Sequence, residues 1–108
     1  MRLLIDQGAI EEIGEAAAFY EDAQTGLGSI FFDVVNSGFK EIIRHPYLWR
    51  KIEGDVRRYL IHRFPYGLIY IVYEDVIYIA AVMHLKRKPG YWRRRVAKSK
   101  LKLILTKS

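Results

Sequence analysis

Three side chains near the end of the sequence, His84, Arg87 and Tyr91, have the chemistry needed to act on a phosphodiester. A histidine can accept or donate a proton near neutral pH, and an arginine can brace a phosphate with two parallel hydrogen bonds. Two more arginines, Arg57 and Arg63, lie in or beside the same predicted sheet. Cleavage of RNA by its own 2′-hydroxyl needs a base, cationic donors on the scissile phosphate and an acid for the leaving oxygen. These five residues are therefore candidates for such a centre.

Each candidate also has a structural alternative. His84 ends a predicted strand, where a histidine can bond to nearby backbone instead of transferring a proton. Arg87 could form a salt bridge within the molecule. Arg57 and Arg63 could be solvated cations on the sheet. The residue types alone leave both roles open.

The distribution of charge indicates an acidic or polyanionic partner. The net charge is +6, from 18 basic and 12 acidic residues, and ten Lys and Arg follow Asp75 with no acid among them. Most of the acids lie in the first third of the chain. A basic end of this kind is typical of proteins that bind nucleic acid or an acidic protein, although solubility alone is the competing explanation.

Composition limits the class of protein. A chain of 108 residues with 51% apolar content can form one core without staples. The sequence has no cysteine and three scattered histidines, so we expect no disulfide, no thiol chemistry, no metal site and no cofactor. The N-terminus lacks a signal-peptide core, and no apolar run approaches the roughly 18 to 20 residues of a membrane span. We therefore expect a cytoplasmic protein without a membrane partner.

Apolar periodicity predicts a short strand followed by a helical hairpin. Residues 1–5 are apolar and predict a strand that pairs with the later sheet. Residues 7–23 repeat apolar side chains at three- and four-residue spacing, which predicts an amphipathic helix with its acids on the outer face: Glu11, Glu12, Glu15 and Asp22. A second helix begins near Leu27 and ends at His45, because Pro46 follows.

Three β-rich runs, at residues 56–64, 68–73 and 76–85, predict an antiparallel meander. The element order is thus β-α-α-β-β-β, which favours an α+β fold: a helical hairpin packed on a small, mostly antiparallel sheet. Trp49 is expected to fill the corner between helix and sheet. Residues 1–95 form the predicted domain. The basic C-terminal tail, residues 96–108, fits either an amphipathic helix or a lysine-leucine alternation, within the domain or disordered.

Several short motifs in this order resemble the ParE/RelE toxin superfamily, in its plasmid-stabilisation (ParE-like) branch. The most specific are Arg63-Phe64-Pro65-Tyr66 and the later His84-x-x-Arg87-x-Pro89-x-x-Trp92. The resemblance covers roughly residues 1–95, and the weaker matching pieces are Ala17-Ala18-Phe19-Tyr20-Glu21, Gly26-Leu27-Gly28 with Phe32, Ile43-Arg44-His45-Pro46, Val56-Arg57-Arg58 and Arg95.

The resemblance implies the toxin of a type II toxin–antitoxin module. ParE-like members inhibit DNA gyrase without a known catalytic centre, whereas RelE-like members are enzymes that cut ribosome-bound messenger RNA. In the RelE-like case Arg87 matches the phosphate-bracing arginine, and Tyr91 lies near the tyrosine those nucleases use. The second helix lacks their substrate-gripping lysine pair, since only Lys40 is present there. We therefore favour gyrase inhibition over an mRNA interferase, and place a non-toxic nucleic-acid-binding module third.

The resemblance also implies partners and contact residues. The partners are a cognate antitoxin, which would form a hetero-oligomer with the chain, and either gyrase or the ribosome with its message. If the protein is an interferase, the catalytic residues are His84, Arg87 and Tyr91. The residues expected to bind the target or the antitoxin are Arg57, Arg63, Tyr66, Arg87, Trp92, Arg93, Arg94 and Arg95.

Overall fold

The fold is built on a five-stranded mixed sheet with a helical hairpin on one face and a third helix on the other. The computed structural model describes residues 1–106. The strands are β1 (Arg2–Ile5), β2 (Lys51–Glu53), β3 (Val56–Leu60), β4 (Tyr66–Tyr73) and β5 (Val76–His84), and the helices are α1 (Gln7–Ala23), α2 (Leu27–Arg44) and α3 (Arg93–Thr106). The predicted α+β class is confirmed. Within the described residues, no helix is long and apolar enough to cross a membrane.

Carboxylates bond to the backbone N–H groups of glycines at the start of α1 and at the turn between α1 and α2. Asp6 caps α1 by accepting a 2.8 Å hydrogen bond from the backbone N–H of Gly8. At the turn, Glu21 accepts hydrogen bonds from the backbone N–H groups of Gly26 and Gly28 at 2.9 and 3.0 Å. Gly26 has φ of 89°, in the left-handed region that glycine adopts more readily than residues with a side chain. These bonds satisfy the N–H groups of the residue that caps α2 and of Gly28 in its first turn, which have no partner inside the helix.

The sheet order is β1-β5-β4-β3-β2, with β1 parallel to β5 and the other pairs antiparallel. The hairpin is thus the crossover that brings β1 beside β5. The β4–β5 turn is the predicted two-residue connection, in which Glu74 takes the left-handed conformation at φ of 54°. A bulge between Ile69 and Tyr70 shifts the register of β4 against β5.

The first core lies between the hairpin and the sheet. Phe31 and Ile42 on α2 are fully buried in the same core as Leu68 on β4, and Ala9, Ile13 and Ala16 bury one face of α1 there. Tyr70 is also buried there, and its hydroxyl donates a 2.7 Å hydrogen bond to the carbonyl of Pro46. Trp49 packs edge-on against a sheet tyrosine with ring centroids 4.6 Å apart, in the predicted corner.

A second, smaller core lies between α3 and the opposite face of the sheet. Trp92, just before α3, and Val96, in its first turn, pack on β4 and β5 side chains such as Ile69, Ile71 and Met83. Further along α3, Ser99 is buried and its hydroxyl donates to the carbonyl of Val96 at 2.7 Å. The tail left undecided by the sequence is therefore helical through Thr106, and residues 107–108 lie outside the described part.

Three boundaries differ from the prediction. The strand β2 was not predicted, because it is only three residues long and its sequence is polar. The strand β3 ends at Leu60 instead of Phe64, since Arg63 adopts φ of 71° in the following loop. The helix α3 begins at Arg93, before the predicted tail. The observed order is β-α-α-β-β-β-β-α.

Candidate functional site

Glu12 on α1 receives four hydrogen bonds in the space between the hairpin, β5 and α3. One carboxylate oxygen accepts from the backbone N–H of Val82 at 3.0 Å and from Arg95 Nη1 at 2.9 Å. The other accepts from Arg87 Nη1 at 3.0 Å and from the hydroxyl of Tyr91 at 2.6 Å. The side chain of Glu12 is only 11% exposed. We call Glu12, Arg87, Tyr91 and Arg95 the Glu12 network.

Asp6 supplies a second carboxylate to the same region. Besides capping α1, it accepts a 2.6 Å hydrogen bond from the hydroxyl of Tyr78 and lies 3.7 Å from Arg95 Nε. Arg95 also donates to the carbonyl of Ala80 at 3.1 Å. Its guanidinium lies directly over Gly8, where a Cβ would collide with it. Arg95 therefore joins α3 to both α1 and β5.

The two partly buried tyrosines of this region, Tyr78 and Tyr91, remain protonated donors. Burial raises the pKa of Tyr91 well above its ordinary value, and the hydrogen bond to Glu12 and the Glu12 charge raise it further. The nearby Arg87 and Arg95 lower the pKa of Tyr91 by less. Burial likewise raises the pKa of Tyr78, together with the hydrogen bond and charge of Asp6.

Arg87 lies at the edge of the Glu12 network. Its guanidinium carbon is 3.5 Å from the centroid of the Tyr91 ring, which is a close cation–π contact. Its side chain is 51% exposed. Arg87 is therefore held by one carboxylate and one ring, while about half of its side chain stays exposed.

His84 and Tyr66 form a pair across β4 and β5 beside this network. Their rings are 5.0 Å apart and edge-on. His84 Nδ1 accepts a 3.0 Å hydrogen bond from the backbone N–H of Lys86, so the neutral ring carries its proton on Nε2. A shallow pocket of about 290 Å³ opens here, lined by Glu12, Glu15, Ala16, Phe19, Tyr66, Val82, His84 and Arg87.

Residues 3–89 match the family described as ParE toxin of type II toxin-antitoxin system, parDE. The chain belongs to this family. A solved chain of the chromosomal ParDE TA system from P. aeruginosa is similar to the toxin with a TM-score of 0.60 and 13% identity, over 80% of the toxin and 97% of that chain. At this identity the likeness shows the fold alone. No curated protein matches the toxin. The family match ends before α3 begins.

The toxin's Arg57 and Arg63 do not line the pocket. Arg57 donates from Nη1 to the carbonyls of Tyr47 and Trp49 at 3.0 and 2.8 Å, so it holds the segment before β2. Arg63 is exposed in the β3–β4 loop, with its guanidinium carbon 5.8 Å from the Phe64 ring centroid. Of these two arginines, only Arg63 is free to contact another molecule.

The predicted binding residues of α3 have different surroundings. Trp92 is 3% exposed in the second core, so its ring cannot contact a partner without unfolding of α3. Arg93 is paired through two hydrogen bonds of 2.8 and 2.7 Å with Glu53 on β2. Arg94 is exposed, and within residues 1–106 it forms no salt bridge.

Glu12 was predicted to lie on the solvent face of α1, and this prediction was wrong. The toxin instead turns Glu12 toward β5, and the reason is visible in the spacing. Ala9, Glu12, Ile13 and Ala16 follow the i, i+3, i+4, i+7 pattern of a single helix face, and the three apolar members are buried. An acid within that apolar repeat predicts a buried carboxylate that needs cationic partners.

Proposed function

We propose that this ParE-family toxin inhibits DNA gyrase and is neutralised by a cognate antitoxin. The observation that carries the choice of target is the Glu12 network, in which Arg87 and Tyr91 are already engaged by a carboxylate. A nuclease would need these two groups for its substrate. The proposed inhibition instead relies on surface contacts, for which the candidates are Arg63, Tyr66, Arg94 and the exposed part of Arg87, which can contact a partner without leaving Glu12.

The charge of Glu12 opposes RNA cleavage at this site. Transition-state stabilisation requires preorganised donors aimed at the charge that develops on the phosphate. Here Glu12 offsets the charge of Arg87 and would repel an incoming phosphate. The raised pKa of Tyr91 also makes its hydroxyl a poor proton donor for a leaving oxygen.

A messenger-RNA interferase is the second candidate, and one observation favours it. The shallow pocket brings His84, Arg87 and Tyr66 together, with the proton of the neutral His84 ring on Nε2. This reading requires Arg87 to leave Glu12 when substrate binds.

The proposed antitoxin is acidic and has a segment that folds on binding. The outer side of the hairpin has an apolar groove of about 320 Å³, in which Ile10 and Phe32 are 47% and 50% exposed. Exposed basic side chains, among them Arg63, Lys86 and Arg94, lie elsewhere on the surface. A disordered acidic segment with apolar anchors suits such a surface, because it can wrap over a long path at the cost of ordering.

The experiment compares the two targets directly. Purified toxin is added to a gyrase supercoiling assay and, separately, to a translation reaction in which message cleavage is mapped. We expect supercoiling to stop, the message to stay intact, and the antitoxin to restore supercoiling. Efficient cleavage of translated message with unaffected gyrase would instead establish the interferase.

A further inference from the structure

The helix α3 has an outer apolar face as well as its buried one. Val96 and Ser99 are buried against the sheet. On the opposite face Ala97, Leu101 and Ile104 follow i, i+4, i+7 spacing, which aligns them along the helix. Leu101 is 60% exposed and Ile104 is 52% exposed. We call Ala97, Leu101 and Ile104 the outer seam.

Lysines border the outer seam on both sides. Lys98 and Lys102 line a cavity of about 560 Å³ between α3 and β1, whereas Lys100 lines a cavity of about 300 Å³ beside β2. Residues 93–106 contain six Lys and Arg and no acid. Within the described part of the chain, no salt bridge holds any of these three lysines.

The spacing is that of a coiled-coil seam. With Leu101 at heptad position a and Ile104 at d, the preceding heptad has Arg94 at a, Ala97 at d, Lys98 at e, Lys100 at g and the buried Ser99 at f on the far side, and the exposed Leu105 follows at e. Residues at e and g select the partner helix through charge. We propose that the outer seam docks an amphipathic helix of another protein that has Leu or Ile at a and d and Glu at e and g.

The charges disfavour a second copy of this chain as the occupant. Two antiparallel α3 helices would place lysine against lysine at e and at g, and two parallel helices would place Arg93 at g against Lys98 at e. A membrane surface is disfavoured by the small apolar face, because the large apolar side chains lie in the last two turns alone, whereas an interfacial helix inserts along its length. The seam lies on α3, after the residues that match the family, and the docking proposed for it is a separate proposal from the gyrase target.

Fluorescence anisotropy with the full-length protein tests this docking. The probe is a labelled synthetic helix about three heptads long with Leu and Ile in its seam and Glu at e and g, and the matched probe carries Lys at e and g. We expect the acidic probe to bind, more weakly as salt is raised. Leu101→Ser with Ile104→Ser should weaken binding about tenfold or more, since the seam loses its apolar contacts.

The matched control is Leu60→Ser, because Leu60 is 51% exposed outside α3. It should leave probe binding unchanged, and circular dichroism should show the same helix content in all variants. Equal binding of the Lys probe, or binding unaffected by the seam variant, would overturn the proposal. Two further outcomes would overturn it. In the first, the seam variant loses only self-association, measured by sedimentation; in the second, it loses only binding to vesicles of anionic lipid.

Discussion

At the scale of single residues, the carboxylate of Glu12 determines the character of the candidate site. Its four donors come from β5, the β5–α3 connection and α3, and a carboxylate has about four acceptor positions. All of its capacity is therefore used inside the molecule. The four hydrogen bonds to Glu12 therefore have the character of a structural ion network, not of a site with free donors for a substrate.

Replacing Glu12 with Gln should destabilise the protein by about 2–3 kcal/mol, because Arg95 loses its anionic partner in a partly buried position. An amide would also place two donors among groups that already donate. The measurement is urea unfolding followed by circular dichroism. Glu11→Gln is the control, since Glu11 is the neighbouring exposed acid. Equal midpoints for the two variants would show that the Glu12 network adds no stability.

Tyr70 should make stability fall at high pH. Burial raises the pKa of Tyr70 to about 12, against the smaller lowering effect of Arg57, whereas an unfolded tyrosine has a pKa of about 10. A raised folded pKa means that this contribution is complete below about pH 10 and is lost as pH rises toward about 12. The unfolding midpoint measured across this range should fall, and less steeply in Tyr70→Phe. Identical slopes would contradict the assignment to Tyr70.

At the scale of elements, the crossing of α1 and α2 depends on one glycine. A Cβ on Gly28 would lie 2.6 Å from the carbonyl oxygen of Ala17. Gly28→Ala should therefore force the helices apart and cost about 1–3 kcal/mol. Gly14→Ala is the matched change within α1, where nothing lies within 4 Å, and it should stabilise by about 0.5–1 kcal/mol. Thermal unfolding measures both, and the prediction fails if the two shifts have the same sign.

The attachment of α3 should depend on Arg95 and not on its neighbour. Arg95 bonds to Glu12 and to the Ala80 carbonyl, whereas Arg94 is exposed. Arg95→Gln should lower the unfolding free energy by about 2–4 kcal/mol, and Arg94→Gln should leave it within about 0.5 kcal/mol. Guanidinium denaturation distinguishes the two. Equal losses would indicate that α3 is held by its apolar contacts alone.

The elements differ in how well the sequence predicted them. The helices were predictable because their apolar residues repeat at helical spacing, and the Glu74-Asp75 turn because it separates two apolar runs. The strand β2 has no such signal: it forms because Lys51 and Glu53 pair with β3. The start of α3 depends on Trp92 and Val96 finding a sheet face that the local sequence does not reveal.

The site was less predictable than the fold. The candidates His84 and Arg87 do line the shallow pocket together with Tyr66. The sequence could not show that Glu12 would engage Arg87 and Tyr91, because these residues are more than 70 positions apart along the chain. Contacts of that separation depend on the sheet order, which places α1 next to β5.

At the scale of the whole molecule, growth arrest should separate the two candidate mechanisms. In cells lacking antitoxin, we expect His84→Gln to remain toxic and Arg87→Ala to be less toxic, because gyrase inhibition needs a basic surface but no proton transfer. Growth, message cleavage and gyrase-dependent DNA breaks are scored together. Gyrase inhibition would be contradicted if the wild type cleaved message and both variants cleaved it about 10²-fold or more slowly.

The parallel pairing of β1 with β5 also sets when the protein can fold. Leu3 pairs with Ile77, so the first strand has no neighbour in the sheet until the last strand is made. Contacts between such distant segments form late. We therefore expect that a growing chain cannot complete its sheet, and so cannot reach its folded state, before β5 has left the ribosome.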